Sequence, residues 1–103
     1  MLAELRRQVA MLEAACQRAL AAGDDAQARR GLIRALIGFK PDWPPDAPLL
    51  TAGLLNVVHA RAEILQGTLD DGDQAAIDAS LGRLCRALNE LGTAIDGAAP
   101  QVA

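Results

Sequence analysis

The sequence predicts an all-α fold, an antiparallel four-helix bundle built from two helical hairpins. Three observations predict it. Apolar residues recur at alternating spacings of three and four along most of the chain, the period of an amphipathic helix. Twenty-two Ala and sixteen Leu supply most of a 51% hydrophobic content, whereas three Thr, four Val and 2% aromatic residues are too few for a sandwich or barrel. Two Gly/Asp turns and one proline-rich corner cut the periodic pattern into four pieces. At 103 residues the chain suits one domain, expected over 1–97 with a loose tail at 98–103.

The first helix is expected over about 2–22. Leu2, Leu5, Val9, Leu12, Cys16 and Leu20 form its seam, and Gly23 ends it. Asp24, with Gln27 three residues on, offers a capping-box-like start to a second helix over about 25–38. Ala28, Leu32, Ala35 and Leu36 line one side of it, Ile33 and Ile37 widen the stripe, and Arg29, Arg30 and Arg34 should face water. Residues 39–48 contain four prolines and cannot continue a helix, because each removes a donor and restricts the residue before it. Pro48 fits the first turn of a third helix over about 49–69. Its main seam is Leu55, Val58, Ala62, Leu65 and Leu69; a second stripe, Leu50, Val57 and Ile64, lies about a third of a turn away, with Leu54 between the two. Asp70-Asp71-Gly72-Asp73 is a tight turn in which Asp73 caps the fourth helix, over about 74–96, whose seam is Ile77, Leu81, Leu84, Leu88, Leu91 and Ile95. The two hairpins repeat at an offset of 49: Leu20-Ala21-Ala22-Gly23-Asp24 matches Leu69-Asp70-Asp71-Gly72-Asp73.

Composition excludes several functions. A net charge of −3 and the shortage of aromatic rings argue against nucleic-acid binding by phosphate attraction or base stacking. The acidic excess lies in residues 52–103, with three Lys/Arg against seven Asp/Glu. No apolar run reaches the length of a membrane span, and the early charges at Glu4, Arg6 and Arg7 do not suit a signal peptide. Cys16 and Cys85 stand far apart in apolar patterns without a CxxC, so they read as buried free thiols; neither a zinc site nor a disulfide scaffold is expected, and no cofactor. A reducing cytoplasm is the expected compartment. Nine Arg to one Lys hints at a GC-rich bacterial genome.

No catalytic motif emerges, and the chain is expected not to be an enzyme. His59, the single histidine, sits at the border of the third helix's apolar face. Pairing with Glu63 is the bland expectation; phosphotransfer is the remote alternative, opposed by the negative charge of Glu63. The acidic turn 70–73 lacks the twelve-residue ligand spacing of an EF-hand and reads as helix capping. Arg61 is more informative. It falls between the two stripes of the third helix, beside Leu54, Val57 and Ile64, where a charge is costly unless paired or near water. It is either a snorkelling residue at the edge of a wide core or part of an exposed groove or dimer surface. Trp43, in the proline corner, either caps one end of the core or anchors an interface.

The residues Ala19-Leu20-Ala21-Ala22-Gly23-Asp24 and Gly31-Leu32-Ile33-Arg34-Ala35-Leu36 resemble the middle of the bacterial flagellin export chaperone family. Asp73-Gln74-Ala75-Ala76-Ile77-Asp78 and Leu81-Gly82-Arg83-Leu84 are similar to the start of that family's last helix. The resemblance covers about residues 19–95. It implies a helical bundle that grips an otherwise disordered export substrate on its outside. A tetratricopeptide hairpin is a second resemblance, on the same Gly-Asp turn with Ala28, Leu32, Ala35 and Pro41.

The functional expectation is therefore a protein-binding module. Leu50, Leu54, Val57, Arg61, Ile64 and Trp43 form its candidate surface, and the partner is another protein or a second copy of the chain.

Overall fold

A computed structural model describes residues 2–41 and 48–98. It contains four helices: α1 (Leu2–Ala22), α2 (Ala26–Gly38), α3 (Leu49–Asp71) and α4 (Gln74–Ala98). No strand occurs among the described residues. The helices form an antiparallel four-helix bundle. Helix α1 packs on α2 and α4, α3 packs closely on α4, and α2 touches α3 only lightly, which leaves α1 and α3 across the diagonal.

One core runs through all four helices. Leu5, Val9, Leu12, Cys16 and Ala19 enter it from α1, Leu32 and Leu36 from α2, Leu55, Val58, Ala62 and Leu65 from α3, and the whole expected seam of α4, Ile77 to Ile95. Phe39 closes the core just beyond α2. Each fully buried Leu or Ile contributes about 1.5–3 kcal/mol, so these thin layers hold the bundle with Phe39 as the one phenylalanine in the core.

Both hairpin turns lie at one end of the bundle. Arg29 Nη2, in the first turn of α2, donates to Gln74 Oε1 at the start of α4 at 2.7 Å, and Gln74 in turn donates to Asp78. Arg29 is thus half-buried rather than facing water. At the opposite end Arg6 pairs with Asp96 at 3.0 Å, and the Lys40 N–H donates to Gln8 Oε1.

Several boundaries differ from the sequence expectations. Gly23 takes φ +64, and this left-handed residue ends α1. The helix restarts one residue later than expected: Asp25, not Asp24, is the cap, its Oδ2 accepting the Ala28 N–H at 2.9 Å. Asp73 caps α4 as expected, accepting the Ala76 N–H at 2.8 Å. Helix α3 continues through Asp70 and Asp71, because Gly72 can press its N–H to the Thr68 carbonyl at 2.6 Å. Pro48 is the residue before α3 rather than inside it, and its carbonyl accepts the Ala52 N–H. Helix α4 runs two residues past its expected end, through Gly97 and Ala98; residues 99–103 and Trp43 lie outside the described residues.

Leu20, Ile33 and Ile37, expected in the apolar stripes, are exposed, Ile37 at 61%. The physical reason for the α2 residues is on α3. His59 faces Phe39, with ring centroids 5.6 Å apart, so this flank of α3 is the one turned toward α2. Helical periodicity puts Asn56, Glu63 and Gln66 beside His59. A polar flank offers Ile33 and Ile37 nothing to pack on.

Candidate functional site: an uncovered flank of α3

The expected stripe on α3 splits from the core as the helix turns. Leu55, Val58, Ala62 and Leu65 are buried, and Leu69 is half-buried. Leu50, Val57 and Ile64 remain 67%, 42% and 49% exposed, whereas Leu54 and Arg61 are half-buried. These five residues lie on one line of the helix surface.

A hydrogen bond fixes the direction of that line. Thr68 Oγ1 donates to the Ile64 carbonyl at 2.8 Å. Its one hydrogen being used there, the hydroxyl accepts from the buried Ser80 of α4 at 3.2 Å. Thr68 therefore marks the α4-facing edge of α3. Stepping back from it by alternating fours and threes gives Ile64, Arg61, Val57, Leu54 and Leu50. On α4, seven-residue steps from Ser80 give Ala87 and Ala94, buried and half-buried. Ala87 and Ala94 continue the α4 edge that Ser80 begins, and the outer part of the α3 line is left exposed. Leu49, not singled out from the sequence, extends the apolar end of the line at 91% exposure. Its position just after Pro48 was the available signal. Arg61 makes no ion pair among the described residues, so its guanidinium donors at the edge of this apolar line are open to a carboxylate.

A second concavity lies between α1 and α2. This cleft of about 550 Å³ has a floor of small residues, including Ala14, Ala15, Gly31 and Ala35, with Met11 on its wall and Arg7, Arg18 and Arg34 along its rim. Arg7 is already engaged by Glu4 through two hydrogen bonds of 2.6 and 3.0 Å. That pairing, helped by Gln8, holds the Glu4 carboxyl down at about 2 and raises the Arg7 guanidinium.

His59 is half-buried and tilted against Phe39, and its expected pairing with Glu63 is not formed. The aromatic face wins because Phe39 comes from the core side, while Glu63 is free to remain in water. The carboxylates of turn 70–73 do not converge; no group of three ligating side chains occurs among the described residues. No helix among them is long and apolar enough to cross a membrane. Cys16 is buried as expected, but Cys85 is only partly so. The bundle brings these two distant cysteines together, which sequence spacing did not reveal. The chain matches no protein-family model, no curated protein and no solved structure.

Proposed function

We propose that the protein is a non-enzymatic binding module that holds an amphipathic helical segment of another protein along the α3/α4 flank. One observation carries this reading: after four helices have built a complete core, the line Leu50–Val57–Ile64 is still uncovered. Apolar side chains of the guest would cover that line, and a carboxylate on its edge would take Arg61, fixing its register. In its most specific form, suggested by the resemblance over residues 19–95, the guest is an export substrate and the module a cytoplasmic bacterial chaperone.

A second reading is a homodimer. The stripe is symmetric about Val57, with Leu50 and Ile64 seven residues to either side. Two copies of α3 could pair antiparallel, Ile64 of one against Leu50 of the other.

A photo-crosslinking residue at position 57, with position 33 as control, separates the two in cells. Adducts to one heterologous protein, mapped to a segment with apolar spacing of three and four and an acidic edge, support the guest reading. Adducts only to the chain itself favour the dimer, and equal yields at 57 and 33 reject both.

A further inference from the structure

We propose that Cys16 and Cys85 form a reversible redox site, a dithiol that hydroperoxides convert to a disulfide linking α1 to α4. The register of the two helices puts these residues opposite each other. A Cβ built on Gly92 would lie 4.0 Å from Val9 Cγ1, so Val9 faces Gly92 at close range. The Arg6–Asp96 ion pair, one turn nearer the bundle end, keeps the same antiparallel alignment. Seven residues forward from Val9 is Cys16, and seven back from Gly92 is Cys85. Two turns return each chain to the same face, so the two thiols face one another across the α1–α4 seam.

The two thiols differ in environment. Cys16 is fully enclosed, whereas Cys85 is partly open to solvent. Interaction with the Cys16 thiol lowers the Cys85 thiol below its ordinary value against an opposing push from burial and Glu13; the same interaction raises the Cys16 thiol, as do burial and the neighbouring charges. The first thiolate therefore forms on Cys85, the sulfur an oxidant can reach.

The chemistry balances in two steps. The Cys85 thiolate attacks a peroxide oxygen; an S–O bond forms, the O–O bond breaks, and the alcohol or water leaves with a proton. Cys85 is then a sulfenic acid. The Cys16 sulfur attacks it; an S–S bond forms, the S–O bond breaks, and water leaves with the Cys16 proton. The peroxide gains the two electrons that the dithiol loses. In a reducing compartment such a bond is transient and sensing rather than structural.

The test treats the full chain with modest hydrogen peroxide. Thiol alkylation and non-reducing peptide mapping are the readouts, because the exposed Met11 can also gain oxygen and blur the intact mass. The proposal expects both thiols to disappear together, one peptide pair joined through Cys16 and Cys85, and full reversal by dithiothreitol. The oxidised chain should melt higher by roughly 10 °C or more, since the link closes most of the chain into a loop. C16S should halt at a sulfenic acid on Cys85 that dimedone traps, and C85S should leave Cys16 unmodified. Circular dichroism establishes that each variant is folded. Over-oxidation of Cys85 in the intact chain without a crosslink, a disulfide only between molecules, or two thiols that stay free would each overturn it.

Discussion

Leu88 and Val57 show how position decides what a side chain does. Leu88 is fully enclosed in α4, and Leu88→Ala should cost about 2–5 kcal/mol, read as a fall in denaturant midpoint at constant m-value. Val57 is 42% exposed, and Val57→Ala should change stability by no more than about 0.5 kcal/mol. Glu4 adds a pH-dependent feature at the first turn of α1. The Arg7 hydrogen bonds hold its carboxyl down, from an ordinary 4.5 to about 2. A depressed value means that the pairing is intact above pH 4.5 and is lost as pH falls through about 2. Following the Glu4 carboxyl carbon by NMR should show this low midpoint, and Arg7→Ala should return it to the ordinary carboxylate range. The pair is fully in water, so the thermal midpoint should scarcely respond.

The two hairpin turns share a sequence pattern but not a conformation. Gly23 needs a left-handed backbone, whereas Gly72 has φ −87 and needs space: a Cβ there would come within 2.6 Å of the Thr68 methyl and 2.7 Å of the Thr68 carbonyl. Gly23→Ala should cost about 1 kcal/mol from the backbone alone. Gly72→Ala meets main chain that cannot swing aside, and about 1–3 kcal/mol is expected from the displaced helix end. A Gly72→Ala protein as stable as wild type would show that the α3–α4 turn can re-form around the methyl group. Helix α2 is the weakest element. It has thirteen residues, two buried leucines and little contact with α3. Hydrogen exchange should find its amides the least protected of the four helices.

At the scale of the molecule, the bundle has an apolar outer flank at α3/α4 and an arginine-rimmed cleft at α1/α2. The guest-binding reading expects light scattering to find a monomer at low concentration, with association growing only as concentration rises. A concentration-independent dimer that Val57→Asp converts to a folded monomer would instead establish the symmetric α3 pairing. Val57→Asp should leave helicity unchanged under either reading, because Val57 contributes to no part of the core.

Helical periodicity made the fold legible. The α4 seam from Ile77 to Ile95 and the buried line Leu55–Val58–Ala62–Leu65 follow from spacing alone, since only one face of each helix can meet its neighbours. The second stripe on α3 was legible as surplus apolar surface, but not as exposed surface. Whether Leu50, Val57 and Ile64 were covered depended on how α3 is rotated against α4, which the Thr68–Ser80 contact shows and spacing along a single helix does not. Ile33 and Ile37 read as core because their own helix put them near its apolar face; the polar flank of α3 left them outside. His59 met Phe39 rather than Glu63 for a similar reason, a neighbour from another element outranking one on its own helix. Local spacing determined the helices, their turns and their buried faces, because these follow from a 3.6-residue period and from capping chemistry. The meeting of Cys16 with Cys85, and the bareness of one flank of α3, were decided only by tertiary register, which sets what lies opposite each residue.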